Sequence, residues 1–283
     1  MKYDVNMIGG GFQHDVCSSA LNKNKYINWV KNNHTADVSI HIDDGLRMPV
    51  NDDKINYGWI NESSAIIPHI IEDVLNNLPY FKSKFKNIFC HNPRVISKDP
   101  ELFKFTLPIA MPWIQNKKIY KKSKLVSFIG SNKKMCSGHH FRLEMIEKYK
   151  DVVDHYGRGF AGRELPWVVN TSRGVETGKI LGLKDYMFSF AMENEDEEYA
   201  FCEKTTDCFA TGTIPIYWGG KKITEFFDER GIIFLDDLES IDMLTEELYL
   251  SKAKYIKKNF HLLENLNTSE DFIYLNYLKK DNT

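Results

Sequence analysis

Between residues 186 and 219 two short and almost wholly apolar runs, YMFSFAM and TIPIYW, flank one helix-length stretch, EKTTDCFAT. Apolar runs of this length without polar alternation are strands buried on both faces, and such strands belong to parallel sheets covered by helices. The block predicts a strand, an acidic loop, a helix over 203–211 and a strand over 213–218 that closes on Gly219-Gly220. In open α/β sheets ligands bind beyond the carboxyl ends of the strands. Helix amino termini there suit phosphate, because free N–H groups and the helix dipole both favour negative charge.

The same alternation recurs along the chain. Residues 3–8 read as a strand running into Gly9-Gly10-Gly11, and 37–42 as a strand closed by Asp43-Asp44-Gly45. Ile66, Ile67, Ile70, Ile71, Val74 and Leu75 follow helical spacing over 64–78, and 87–92 is a short strand. Residues 106–124 hold two prolines and then a lysine run, which marks a boundary between halves. Beyond it, 124–133 is a strand entering a Ser/Asn loop, 140–150 an amphipathic helix and 151–157 a strand entering a glycine turn. A helix over 222–229 and a strand over 231–235 complete the series. The tail from 242 is helical, and Phe260, Leu262, Leu263, Phe272, Leu275 and Leu278 give it an apolar face to pack with. Strands alternating with helices, twice over with a break between, predict an α/β protein of two Rossmann-like domains, 1–116 and 117–283, facing across a cleft.

Composition narrows the class. Hydrophobic residues make up 42% of the 283, charged residues 27%, and the formal charge is -2, as in an ordinary soluble domain pair. Nothing overall demands nucleic acid; the lysine run at 117–124 reads as a solvated linker, with phosphate contacts as its functional alternative. Five cysteines form no CxxC pair and predict reduced, mostly buried thiols. The amino terminus turns to glycine too soon for a secretory signal, and no run nears the ~18 apolar residues of a membrane span, so a cytoplasmic location is expected.

Several residues carry possible chemistry. Gly9-Gly10-Gly11 lets a backbone approach a ligand closely, but Phe12 and Asp15 break the dinucleotide fingerprint; Gly10, Gly11 and His14 are expected on a loop facing the cleft. Asp43 and Asp44 end a strand, where a carboxylate serves as a base or as a turn former. Glu62 lies just ahead of a helix, with Ser63 or Ser64 as its N-cap. Ser131-Asn132-Lys133 follows a strand. His139-His140 reads as two surface histidines, since no third ligand has a metal spacing and no DxD triplet ends a strand; no metal site is expected. Arg142 in the first turn of its helix and Lys204 at the start of the next are both unfavourable to the helix dipole unless an anion is bound. Glu193-Asn194 ends a strand, and ENEDEE at 193–198 reads as a solvated acidic loop.

Residues 186–219 resemble the donor-binding motif of the α-1,3-fucosyltransferases, glycosyltransferase family 10. The motif stands here as Tyr186, Phe188, Phe190, Glu193, Asn194, Tyr199, Glu203, Lys204, Ala210, Gly212 and Pro215. Upstream, 128–142 and 152–159 are similar to the family's Ser-Asn–Arg segment and its Asp-x-Tyr-Gly turn. The resemblance is good over about 124–240 and faint over 1–115. Two residues separate Phe190 from Glu193 where the family has none, and Tyr199 stands one residue further from Glu203 than in the family.

The resemblance implies a GT-B fold, inverting chemistry without an essential metal or other cofactor, and a GDP-linked sugar donor. It places Arg142 and Lys204 on the diphosphate and Glu203 on the ribose hydroxyls, with Tyr199, Glu193, Asn194, Ser131 and Asn132 around them. A carboxylate of the amino-terminal half is expected to deprotonate the acceptor hydroxyl: Glu62 first, then Asp44, then Asp43. The expected acceptor is a glycan. Hydroxylated DNA, as in bacteriophage systems, and a non-catalytic nucleotide-sugar-binding module are the alternatives.

Overall fold

The computed structural model describes residues 2–10, 17–31, 35–159, 163–172 and 174–279, so Gly11 and His14 lie outside the described residues. The chain divides into two compact units.

The first unit comprises Met1–Ile109 and Asn267–Thr283. Its strands are β1 (Tyr3–Ile8), β2 (Ile27–Lys31), β3 (Val38–Ile42), β4 (Ile55–Trp59), β5 (Ile88–Cys90) and β6 (Phe103–Phe105). They form one parallel sheet in the order β2-β1-β3-β4-β5-β6. Helices α1 (Pro68–Asn76) and α2 (Leu78–Lys84) and the single turn α3 (Pro93–Ile96) each carry proline in their first two positions, where its missing N–H costs nothing. Ile70, Ile71, Val74 and Phe81 bury one sheet face with Ile88 and Phe103. The opposite face, with Val5, Ile40, Trp59 and Phe89, is closed by Ile273 and Leu278 from the end of the chain.

That closure explains a departure from expectation. The division falls after Ile109 rather than after 116, and Asn267–Thr283 packs with the first unit rather than the second. The terminal helix Ser269–Ile273 is fastened there by two buried carboxylates. Glu270 accepts hydrogen bonds from the Ser18 amide at 2.5 Å and hydroxyl at 2.9 Å, and Asp271 accepts from the Lys25 amide at 2.7 Å.

The second unit is Ala110–Leu266. It contains β7 (Lys124–Ser131), α4 (Ser137–Lys148), β8 (Asp154–Arg158), the hairpin β9 (Val168–Thr171) and β10 (Gly174–Thr177), β11 (Tyr186–Met192), α5 (Glu203–Thr211), β12 (Ile214–Trp218), β13 (Ile233–Phe234), α6 (Glu246–Ser251) and α7 (Ala253–Leu262). The parallel sheet runs β13-β12-β11-β7-β8. All seven residues of β11 are buried, as its apolar run requires, and Phe190 stacks on Phe128 of β7 at 4.7 Å between ring centroids. The expected helix over 222–229 is instead two short 3-10 turns, Lys221–Glu225 and Glu229–Gly231. Strands β2, β4 and β6 and the β9–β10 hairpin have no counterpart in the sequence reading.

The lysine run is only partly a solvated linker. Lys122 donates to the carbonyl of Thr211 at 2.8 Å and of Lys184 at 3.1 Å and to the Thr213 hydroxyl at 2.9 Å, closing the carboxyl end of α5. Burial pushes its pKa down to about 7. Lys124 pairs with Asp154 at 3.2 Å. These two ammonium groups are spent inside the unit, which removes much of the support for phosphate contacts with DNA. Among the described residues, no helix is long and apolar enough to cross a membrane. All five cysteines are free thiols, and four are buried.

Candidate functional site

Each sheet has a point where the strand order reverses: β1 lies between β2 and β3, and β7 lies between β8 and β11. Crevices at such points, beyond the carboxyl ends, are where open parallel sheets bind ligands.

In the second unit β11 runs directly into Glu193, which is 3% exposed. Its carboxylate accepts the Cys202 amide at 3.0 Å and thiol at 2.9 Å and the Thr205 hydroxyl at 3.4 Å, and pairs with Lys204 at 3.1 Å. Cys202, the N-cap of α5, offers no side-chain cap. Glu193 therefore caps α5 from the strand end, satisfying donors that every helix start leaves open. The acidic run is accordingly no simple solvated loop: Glu193 and Glu195 are buried, and Asp196 and Glu198 are exposed.

Helix α4 meets the same strand end. A Cβ at Gly138 would overlap the Asn194 carbonyl, so only glycine allows this approach. Because α4 begins at Ser137 rather than 140, Arg142 stands in its second turn, not its first. Its buried guanidinium donates to the carbonyls of Met192 at 2.8 Å and Glu193 at 3.2 Å and to the Asn194 side chain at 3.3 Å. His139 is buried, not a surface histidine, and accepts the Met135 amide at 3.1 Å. Burial, and then the charges of Arg142, Lys133, Lys204 and His140, push its pKa down to about 4. The imidazole thus stays neutral inside a positive field.

Glu203 and Lys204 open α5 as expected. Glu203 is bound to Lys179 at 2.9 Å, and Lys179 also meets Asp207 at 2.9 Å and lies 4.1 Å from the Trp113 ring centroid. Burial alone would raise the Glu203 pKa, but Lys179 and Lys204 outweigh it and hold the carboxyl well below its usual range. Burial likewise opposes the Lys204 ammonium, and Cys202 with the carboxylates of Glu193 and Glu203 overcomes it, so its pKa lies above the ordinary lysine value. Lys179 and Asp207 escaped the sequence reading. Glu203 and Asp207 at i and i+4 put two carboxylates on one helix face, which is unfavourable without a cation, and that spacing was the available signal. Tyr199 is turned to Glu225, its hydroxyl donating at 2.9 Å. Ser131 ends β7, and the Asn132 amide donates to the Arg158 carbonyl at 3.1 Å.

In the first unit the turns after β1 and β3 touch backbone to backbone. Gly9 has φ +102°, and a Cβ there would lie 2.7 Å from the Gly45 Cα. Gly10 is exposed beside it. Asp43 adopts φ +48°, a left-handed conformation uncommon for a residue with a side chain. Its Oδ1 accepts the amides of Asn61 at 2.8 Å and Glu62 at 3.2 Å, so it fastens the chain beyond β4 to the end of β3. Glu62 is exposed, and its carboxylate has no partner among the described residues. Helix α1 starts at Pro68 with Ile67 as N-cap, so neither Ser63 nor Ser64 caps it. Asp44 has a side chain 72% exposed, 3.2 Å from His69.

Burial raises the Asp43 pKa from 3.8 to about 6, the two amides oppose it, and Glu62 and Asp44 add to it. A carboxyl whose folded pKa is raised contributes stability below its unfolded pKa, and that contribution is lost as pH rises through about 6. Asp43→Asn should therefore stabilise the protein at pH 7.5 by about 1–3 kcal/mol, helped by asparagine's tolerance of left-handed backbone. The gain should shrink towards pH 4. Thermal melts of both proteins at the two pH values check this; a gain independent of pH, or a loss at pH 7.5, would refute it.

Residues 119–268, more than half of the chain, match the model of glycosyltransferase family 10 (fucosyltransferase), C-terminal part. A fucosyltransferase-like protein of Arabidopsis thaliana is 28% identical over 127 residues, covering 42% of this chain and 23% of that protein. The chain thus spans under a quarter of that relative's length. A crystal structure of α1,3-fucosyltransferase superposes with a TM-score of 0.51 and 13% identity, over 100% of this chain and 89% of that one. Another, of α1,3-fucosyltransferase with GDP, gives 0.51 and 13%, over 95% and 92%. The fold is of the GT-B class.

Proposed function

The chain belongs to glycosyltransferase family 10, and from that premise we propose that it moves a sugar, fucose or a close relative, from a GDP-linked donor to a hydroxyl of a glycan acceptor. One observation carries the donor half. Arg142, Lys204 and Lys133 set a positive field around His139, where the amino ends of α4 and α5 meet the end of β11. Fixed cations and helix amino termini together suit a diphosphate. GDP as the nucleotide is supported by the family and by the α1,3-fucosyltransferase structure with GDP.

In this reading the acceptor oxygen bonds to the anomeric carbon from the face opposite GDP as the carbon–phosphate-oxygen bond breaks. Configuration inverts, the hydroxyl proton passes to Glu62, and the electron pair leaves with GDP. Lys204 and Arg142 offset the charge that develops on the departing diphosphate. Glu203, kept ionised by Lys179, accepts hydrogen bonds from the ribose hydroxyls. Glu62 is the base because its carboxylate is exposed and unengaged; Asp43 spends one oxygen on the amide of Glu62 and so acts as its positioning residue.

A thermal-shift panel of nucleotide sugars tests the donor. A ligand at 100 times its dissociation constant stabilises by about 2.7 kcal/mol, and GDP-fucose should outperform UDP- and CMP-linked sugars. Transfer should persist in EDTA. No shift with any nucleotide sugar would defeat the donor assignment. Loss of transfer in EDTA, restored by Mn²⁺ or Mg²⁺, would defeat metal independence, and donor binding without hydrolysis or transfer would favour a binding module.

A further inference from the structure

At the amino end of α4 the two nitrogens of one buried ring have opposite fates. His139 is 4% exposed. Its Nδ1 accepts the Met135 amide at 3.1 Å. A main-chain N–H can only donate, so Nδ1 must present a lone pair, and the proton of the neutral ring is fixed on Nε2. Nε2 makes no hydrogen bond with any described residue, yet it is not one of the enclosed orphan atoms of this fold, such as Asn6 Oδ1 and Thr106 Oγ1. The little of the ring left open therefore includes its one donor.

The surroundings suit an anion. Helix α4 begins against the end of β11, where the Cys136 thiol donates to the Asn194 carbonyl at 3.4 Å and Gly138 leaves no room for a Cβ beside the same carbonyl. Cys136 gives no side-chain cap, so the first amides of α4 are open to another acceptor. Lys204 reaches this strand end from α5, 3.1 Å from Glu193. Lys133 lies on the loop that the Met135 amide fastens to His139. The Glu193 carboxylate is already spent on the Cys202 amide, the Thr205 hydroxyl and Lys204.

The charges of Arg142, Lys133, Lys204 and His140 all act on the His139 ring and oppose its protonation. Nothing inside the unit gains from setting cations around a neutral ring, whereas a bound anion would gain from both. Arg142 spends its Nη2 on the Met192 and Glu193 carbonyls and the Asn194 side chain. It therefore acts on an anion chiefly through its charge. His139 has the complementary character: no charge, and a free donor whose direction is set by the bond on the other side of the ring.

We propose that the His139 Nε2–H donates a hydrogen bond to a phosphate oxygen of the donor's diphosphate, as a neutral contact amid the cations. The proposal rests on the transferase reading above and adds a catalytic residue to it. No proton is transferred: Nε2 keeps its hydrogen while the bond from the anomeric carbon to the phosphate oxygen breaks and its electron pair leaves with GDP. The contact strengthens as negative charge gathers on the departing diphosphate.

The test follows His139 in the whole chain with two probes, GDP and inorganic pyrophosphate. Long-range proton–nitrogen NMR, with the signals assigned by their loss in His139→Asn, should show the Nε2–H form before and after binding. Either probe should move Nε2 most. His139→Asn keeps an oxygen to accept the Met135 amide but lacks the reach of Nε2. It should weaken GDP about 10- to 30-fold by calorimetry, the lower part of what a hydrogen bond to a charged group is worth. His139→Gln restores a donor near the Nε2 position and should recover most of that loss. The factor lost in His139→Asn should be the same in low and high salt, because a neutral donor is not screened. Unchanged GDP affinity in His139→Asn, with only a lower melting temperature, overturns the proposal and reduces His139 to a structural residue. GDP binding that leaves Nε2 unmoved does the same, and the donor reading then stands without His139. A proton taken up on Nδ1 in the complex also overturns it. Pyrophosphate that moves Nε2 while GDP does not bind keeps the contact and removes the donor reading. If neither probe binds, both fall.

Discussion

Replacing Glu62 by glutamine is expected to lower turnover about 10²–10⁴-fold with the affinity for GDP unchanged, the usual contribution of a positioned general base. Glutamine keeps the size and the hydrogen-bonding reach and removes only the ability to take a proton. The fold should be indifferent, because Glu62 is exposed and its held group is the main-chain amide on Asp43, which the substitution retains. Asp44→Asn should change little, since Asp44 is mostly exposed and engaged with His69. Asp43→Asn keeps an acceptor for the amides of Asn61 and Glu62, so its loss of rate should be well below that of Glu62→Gln. Single-turnover rates with saturating donor separate the three. A full rate in Glu62→Gln together with a collapse in Asp43→Asn would transfer the role to Asp43, whose pKa of about 6 suits proton exchange near neutrality.

Lys204→Ala should weaken GDP about 30-fold or more, the lower end of what truncating one partner of a desolvated charge pair costs. It should also destabilise the second unit by about 3–5 kcal/mol, because Glu193 would be left buried without its ammonium partner. The two effects come from different contacts and can be pulled apart. Glu193→Gln combined with Lys204→Ala removes the orphan charge and keeps an acceptor for the Cys202 amide. The double variant should therefore recover most of the stability and none of the GDP affinity. Thermal melts read the first quantity, at about 2–4 °C per kcal/mol for a unit of this size, and calorimetric titration with GDP reads the second. Parental GDP affinity in either variant would exclude Lys204 from the diphosphate site.

Strand β11, helix α5 and strand β12 could be read from the chain alone because their signals are local. An unbroken apolar run means a strand buried on both faces, and the glycine at 212 stops the helix by taking the left-handed conformation, with φ +71°. The order of these elements was enough to indicate parallel α/β layers and to pick out Lys204 at a helix start. The start of α4 could not be read this way. Its N-cap, Cys136, makes no side-chain cap, and what selects Gly138 is the carbonyl of Asn194, more than fifty residues further on. Nor could the fate of the chain end be read: its apolar face predicts packing, but only the uncovered face of the first sheet decides where. The charged groups show the same division. Residue type and spacing put Glu203 and Lys204 at the head of a helix, whereas the contacts of Lys179 with Glu203, of Glu193 with Lys204 and of the Asp43 carboxylate with the Glu62 main-chain amide span 24, 11 and 19 residues of sequence. Periodicity and turn chemistry act between neighbours along the chain, so a sequence displays them. Burial and charge pairing act between neighbours in space, and the folded sheets alone bring those residues together.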